Sequence, residues 1–456
     1  MKTESNWKQG QVVEIEIASL SDTGDGVGRV DNRVVFVPNT VPGDRLNVRL
    51  LYVKPQFARG AIEELLEPSP HGLRPACIVA DKCGGCQWQH IRYDFQQQAK
   101  QTLVTEALTR IGKLADPPVT PIIGSPQSFG YRNKVSYPLE LSDIGIFKAG
   151  YYQKGTHKLI NLNQCPVQDE RLNPLLATLK ESFDLAHWSA YDEENHQGLL
   201  RHLCLRIGQR TGEILITLVA TKRRLPGLAT HSQNWLTHFP GVVGVCLNVN
   251  PHKTNRIFGD QTFSIVGQPY VREQFAGLTF HLGANTFFQV NTEAAEALLE
   301  TILEHLNLQG TEQVVDAYCG IGTLTLPIAR QVQQVLGIEV QGEAIQQARE
   351  NAQLNQIENV AFQVGKVEEL LPQLDHKPDI VLLDPPRQGC KPEVLQTLLT
   401  LRPARLVYVS CKPATLARDL QILCESGSYR LTRVQPVDFF PQTAHVEAVA
   451  FLVNNE

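Results

Sequence analysis

The chain has 456 residues, of which 42% are hydrophobic and 20% charged, so it holds too much for one core and too much apolar content to stay disordered; about three domains are expected. No apolar run approaches the roughly 20 residues that cross a bilayer, and the polar start MKTESNWKQGQ lacks a signal core, so a cytoplasmic protein with no membrane partner is expected. Net charge is −5, but it divides into −2 over residues 1–68, +6 over 69–275 and −9 over 276–456, which makes the middle region the candidate polyanion-facing surface.

Residues 11–67 read as all-β. VEIEI alternates Val13, Ile15 and Ile17 with Glu14 and Glu16, and Gly, Asp and Pro residues punctuate the stretch that follows. About five short strands in this length predict an OB-like β-barrel. The Pro-rich segment PSPHGLRP leads into ACIVADKCGGCQWQH, where Cys77, Cys83 and Cys86 have the spacing C-x5-C-x2-C. A long chain without a signal segment argues against disulfides, so these three are read as metal ligands. Their spacing leaves both zinc and an iron–sulfur cluster open.

RYDFQQQAKQTLVTEALTRIG then predicts an amphipathic helix with Leu103, Ala107, Leu108 and Ile111 on its apolar face. Residues 130–275 look strand-rich. Within them YRNK (131–134), Arg201, His202, Arg206 and Lys222-Arg223-Arg224 are candidates to grip phosphates, and Tyr131, Tyr151 and Tyr152 candidates to stack on bases. From residue 293 helices and strands alternate, which predicts a doubly wound parallel sheet.

Sites in such sheets form beyond the carboxyl ends of the strands. There, VVDAYCGIGTLTLPIA carries Asp316, Gly320 and Gly322 directly after an apolar strand. Thr325 stands where a dinucleotide site would have its third glycine, a variant suited to S-adenosylmethionine, which has no pyrophosphate. Glu339 ends the next strand, placed to accept ribose hydroxyls. Asp384 ends DIVLLD and is followed by Pro385-Pro386-Arg387; the absence of an aromatic ring after the prolines argues against methylation of an exocyclic amine. Cys411 ends RLVYVS before a helix, where helix-end amides and Lys412 would favour the thiolate of a nucleophile. Glu447, opening the last strand, is a candidate exposed general base. Cys319, Cys390 and Cys424 are expected in the core.

Together these residues resemble the RNA uracil-5-methyltransferases, in particular the iron–sulfur-containing 23S rRNA branch with an N-terminal TRAM domain. The motifs that carry the resemblance are the barrel, Cys77/Cys83/Cys86, FFQVN (287–291), DAYCGIGTLTLPIA, DPPR, SCKPATLARD and HVEAV, in that order. The resemblance implies that Gln289, Tyr318, Gly320, Gly322, Glu339 and Asp384 line the S-adenosylmethionine and base site, that Cys411 is the nucleophile and Glu447 the base, and that Cys165 is the distant fourth ligand of a [4Fe–4S] cluster with a structural role. Lys366, where an acidic residue is common, and Thr323, where asparagine is common, depart from the pattern. The multidomain α/β architecture expected is a barrel over 1–68, a central RNA-binding domain with the cluster over 69–92 and 125–275, and a Rossmann-like methyltransferase domain over 93–124 and 276–456. A monomer acting on 23S rRNA is expected, with tRNA as the alternative substrate and a non-catalytic RNA-binding or chaperone protein as the alternative of another class.

Overall fold

The computed structural model describes residues 7–31, 33–425 and 427–455. Residues 1–6, most of the polar start that predicts no signal segment, lie outside the described residues.

β1 (Val12–Leu20) buries Val13, Ile15 and Ile17 and exposes the glutamates between them, as strict alternation requires. It joins β2 (Gly26–Val30), β3 (Arg33–Val37), β4 (Arg45–Val53) and β5 (Phe57–Glu67) in a closed barrel of order β1-β2-β3-β5-β4. Closure removes the free edges that a five-stranded sheet would otherwise expose.

α1 (Tyr93–Arg110) corrects the expected apolar face. Its buried stripe is Gln96, Lys100, Val104 and Leu108, and Ile111 is exposed. Two polar residues enter this stripe because each meets a buried partner. The Lys100 ammonium lies 2.6 Å from Asp438 Oδ1, with both side chains fully buried, and also donates to the Phe440 carbonyl. A hydrophobicity pattern registers neither contact.

The central region is a sheet with two helices, not strands alone. In chain order it runs β6 (Lys134–Leu141), β7 (Phe147–Tyr152), β8 (Leu159–Asn161), α2 (Asn173–Leu185), β9 (Leu200–Ile207), β10 (Ile214–Ala220), α3 (Leu228–His238), β11 (Val242–Val249) and β12 (Gln261–Gly267). The sheet order is β12-β11-β10-β9-β6-β7-β8. Phe183, Trp188 and Trp235 pack together and hold α2 and α3 to one core with the strands. A hairpin, β13 (Tyr270–Phe275) and β14 (Leu278–Gly283), leads to α4 (Thr292–Leu306).

The C-terminal region runs β15 (Gln313–Ala317), α5 (Thr325–Ala329), β16 (Gln334–Glu339), α6 (Gly342–Leu354), β17 (Val360–Val364), α7 (Val367–Leu370), β18 (Ile380–Leu383), α8 (Pro392–Leu401), β19 (Arg405–Ser410), α9 (Pro413–Glu425), β20 (Tyr429–Val437) and β21 (Glu447–Asn454). Its sheet order is β17-β16-β15-β18-β19-β21-β20, so the strand order reverses between β15 and β18. The sheet is mixed rather than all-parallel: β21 pairs antiparallel with both β19 and β20. Both faces are covered. Val314, Leu382 and Val407 pack toward the α4 side, while Val315, Leu383 and Leu406 pack on the opposite side with Val104 and Leu108 of α1. Burial on both faces is why these strands read as continuous apolar runs. Among the described residues no helix is long and apolar enough to cross a membrane.

The buried Lys100–Asp438 pair gives a stability test. Lys100→Ala strands the Asp438 carboxylate without its cation, and is expected to lower the unfolding free energy by about 3–5 kcal/mol in urea denaturation.

Candidate active site

The site is built from the carboxyl ends of β15, β16, β18 and β19, at the point where the strand order reverses. Tyr318 follows β15 with φ 75°, a left-handed conformation that is an outlier for an aromatic residue; its N–H donates to the Ile338 carbonyl. Gly320 and Gly322 follow with φ 55° and 87°. A Cβ at Gly320 would meet nothing within 4 Å, so the backbone there faces open space. Asp316 is buried beneath this loop and accepts a 2.5 Å hydrogen bond from Thr325 Oγ1. The threonine at the third-glycine position therefore caps a carboxylate. Glu339 stands half-buried at the end of β16 and accepts from the Gln341 N–H.

Asp384 directly follows β18 and Cys411 directly follows β19, its neighbour in the sheet. Because β21 runs antiparallel to β19, with Ser410 opposite Ala448, its first residue Glu447 arrives at the same rim. The expected exposed glutamate is in fact 4% exposed. Burial, with Asp384 adding to it, pushes the Glu447 carboxyl well above the usual range, while Arg387 opposes the shift. Burial also raises Asp384 to about 7, with Asp316 contributing, and raises Asp316 to about 7. The Cys411 thiol is raised as well, by burial first and then by Glu447 and Asp384. The cation that opposes this is Arg387, not Lys412, so the expected thiolate bias is corrected to a resting thiol. Sequence reasoning noticed Arg387 only for the aromatic ring it replaces; its position directly after the two prolines of DPPR was the available signal.

The residues expected to face RNA divide into two groups. YRNK is structural throughout. Tyr131 is buried and donates to the Pro441 carbonyl, and Arg132 lines the cysteine pocket described below. Asn133 donates from its side chain to Gln289 O at 2.9 Å and from its backbone to Val290 O, and Lys134 reaches Thr286 O. Arg206, also buried, bonds the same Thr286 carbonyl. These groups thus hold the loop that carries Gln289. Arg201 is buried over the Tyr191 ring and donates to the carbonyls of Asn250, His252 and Thr254. Half-buried His202 is pushed down to about 4 by burial and Arg201. Tyr151 packs on Tyr137, and Tyr152 is half-buried. Lys222, Arg223 and Arg224 are exposed, as a phosphate-gripping role requires. Phe287, two residues before Gln289, is 70% exposed and escaped the sequence reading. Lys366 is exposed and paired with Glu369. Cys319 and Cys390 are buried in the core, and half-buried Cys424 packs against it.

Cys77, Cys83, Cys86 and Cys165 line one pocket with Arg132 and Tyr151. The Gly85 N–H donates to Cys83 Sγ at 3.4 Å, and the Cys165 N–H to the Asn173 side chain. The first glycine of CGGC is required by packing, since a Cβ on Gly84 would sit 2.8 Å from the Tyr152 carbonyl, and a Cβ on Gly85 would lie close against the Tyr151 ring. Burial pushes the Cys86 thiol up to about 12, with the other three cysteines adding to it. Four soft donors around one enclosed space fit a metal or cluster by donor chemistry. Among the described residues, no three His, Cys, Asp or Glu side chains are gathered on a point that would hold a single ion.

Comparison with known proteins gives the site its setting. The family model for tRNA (uracil-5-)-methyltransferases matches residues 92–455, and the TRAM domain model matches residues 6–62. An uncharacterized RNA methyltransferase of Nostoc sp. is 61% identical, over 99% of this chain and 98% of the relative. One of Synechocystis sp. is 55% identical over 98% and 96%. Among solved structures, the Pyrococcus abyssi tRNA (uracil-54, C5)-methyltransferase in complex with S-adenosyl-L-homocysteine is 28% identical, with a TM-score of 0.76, over 97% of this chain and 100% of that one. The chain therefore belongs to the tRNA (uracil-5-)-methyltransferase family of RNA-methylating enzymes and carries a TRAM domain at its N-terminal end.

Proposed function

We propose that the protein methylates C5 of a uridine in 23S rRNA, using S-adenosylmethionine as methyl donor, Cys411 as nucleophile and Glu447 as base. The observation that carries the reading is the meeting of a thiol, a buried carboxyl and Asp384 at one rim, beside a glycine loop open above Gly320. That open backbone, with Glu339 at the next strand end, fits an adenosyl group; Gln289 and Tyr318 border the same space in this reading. S-adenosylmethionine supplies an electrophilic sulfonium methyl group and leaves as S-adenosylhomocysteine.

The residues explain the rest. Uracil C5 is a weak nucleophile. Cys411 Sγ, its proton released to solvent, adds to C6, and the C5–C6 π pair moves into an enolate with carbanion character at C5. C5 takes the methyl group. Glu447 removes the C5 proton, the C5–C6 double bond re-forms, and the C6–S bond breaks to return the thiolate. Asp384 hydrogen-bonds the uracil edge or orients the ring. The barrel and the central region grip the RNA, with Lys222, Arg223 and Arg224 on phosphates and Phe287 open for a base to stack on. The uridine must leave its stack to reach Cys411, so a loop suits the site better than an intact duplex.

A tRNA uridine is the second reading, favoured by the Pyrococcus abyssi tRNA enzyme that aligns over nearly the whole chain. Mapping 5-methyluridine in rRNA and tRNA from cells with and without the protein separates the two. Loss confined to tRNA would overturn the first reading. Cys77, Cys83, Cys86 and Cys165 are proposed to hold a [4Fe–4S] cluster in a structural role, tying the segment near residue 80 to that near 165. Purified protein should show broad visible absorbance with matching iron and sulfide; stoichiometric zinc instead would reject the cluster.

Cys411→Ala should abolish methylation and every covalent RNA adduct. Glu447→Gln should slow turnover about 10²- to 10⁴-fold and trap a methylated adduct resolvable on denaturing gels. The pH dependence has a definite sign. Both groups act deprotonated and both are held protonated by burial, so the single-turnover rate should rise with pH through neutrality. Arg387→Ala removes the cation opposing both shifts and should move that rise to higher pH.

A further inference from the structure

Gln442 lies between β20 and β21, five residues before Glu447. It is 3% exposed and its φ is 70°. That conformation is unfavourable for a residue with a Cβ and persists only where surrounding contacts over-determine it. The contacts here are five hydrogen bonds to three separate segments. The Gln442 N–H donates to Gln96 Oε1 at 2.9 Å, and its Oε1 accepts from Gln96 Nε2 at 3.0 Å, both on α1. Its Nε2 donates to the Ser128 carbonyl at 3.2 Å. Its own carbonyl accepts from the N–H groups of Gln87 and Trp88, each at 3.0 Å. Gln87 directly follows Cys86. Next to Gln442, the Pro441 carbonyl accepts from Tyr131, whose ring packs with Cys86 and Cys165.

We infer that Gln442 is a positioning residue that locks the β20–β21 loop to the cysteine segment, so that the place of the Glu447 carboxyl depends on the fold of residues 83–88. The catalytic part of this inference rests on the proposed role of Glu447 as base. The mechanical part stands on the hydrogen bonds alone. A base displaced by an ångström loses about 10²-fold in rate. The cysteine site thereby gains a consequence for chemistry that needs no electron transfer.

The test uses the full-length protein. Gln442→Gly relieves the backbone conformation and deletes the two side-chain bonds, to Gln96 Nε2 and to the Ser128 carbonyl, that hold the Gln442 carbonyl on the Gln87 and Trp88 N–H groups. It should lower kcat about 10- to 100-fold, leave KM for RNA within about threefold, and accumulate the methylated Cys411 adduct. Iron content should equal that of the parent. Gln96→Ala loosens the same turn from α1 and should shift all three readouts the same way by less; it decides the matter if the glycine variant does not fold. Amide hydrogen exchange at residues 443–447 should be faster in both variants, and also in Cys86→Ala, which alters the cysteine segment and leaves the loop sequence intact. Unchanged exchange, or a loss confined to KM, overturns the inference. If the parent protein itself forms no adduct, the proposed function fails, and the exchange experiment still decides whether the loop is locked to the cysteine segment.

Discussion

The rim chemistry depends on one strand direction. β21 lies between β19 and β20 and runs opposite to β19, with Ser410 facing Ala448. Six residues of strand span roughly 20 Å. Had β21 followed the parallel rule of its neighbours, its first residue would open at the far edge of the sheet, that distance from Cys411. The reversal brings Glu447 to Cys411 with neither residue on a long loop. Glu447 is fixed by the strand ladder opposite Val437, and Cys411 directly follows the last paired residue of β19, so both side chains sit on or beside strands rather than on long loops.

That rim is also an electrostatic arrangement. Asp316 and Glu447 are buried carboxyl groups and Asp384 a half-buried one, joined by the Cys411 thiol, and the cation acting on both Cys411 and Glu447 is Arg387. Like charges in a low-dielectric site cannot all ionise together. Each deprotonation at the rim therefore makes the next harder. In the proposed reaction this is useful. A protonated thiol is inert toward solvent electrophiles, and the site becomes reactive when a bound base and the sulfonium of the donor replace water around it.

Much of this was legible in the sequence because it rests on local pattern. The alternation of Val13, Ile15 and Ile17 gave the barrel's first strand, and apolar runs ending in Asp316, Glu339, Asp384 and Cys411 marked strand ends where sites form. What stayed hidden was long-range. Nothing within VEAVAFLV says that the strand runs antiparallel, since a strand buried on both faces reads alike in either direction. Glu447 looked exposed for the same reason: its burial comes from neighbours in the sheet. YRNK looked like a phosphate grip because its residue types suit one, yet Asn133 and Lys134 turn inward to carbonyls of the Gln289 loop. The polar stripe of α1 was missed because Gln96 and Lys100 have partners more than 300 residues away.

Those distant polar partners define how the parts of the chain fit together. Apolar surfaces slide over one another at little cost, whereas a buried ammonium or amide tolerates only the docking that meets its partners. Lys100 needs Asp438 and the Phe440 carbonyl, and Gln96 needs both ends of Gln442 as well as the Trp88 and Ile91 carbonyls. Trp88 in turn donates from its indole to the Gly24 carbonyl of the barrel. One register of α1 satisfies all of these at once, and a shift of a single residue would strand a buried charge. The same network therefore sets the barrel, the cysteine segment and the turn before Glu447 in a common frame. An apolar interface of equal area would stabilise the contact without specifying it.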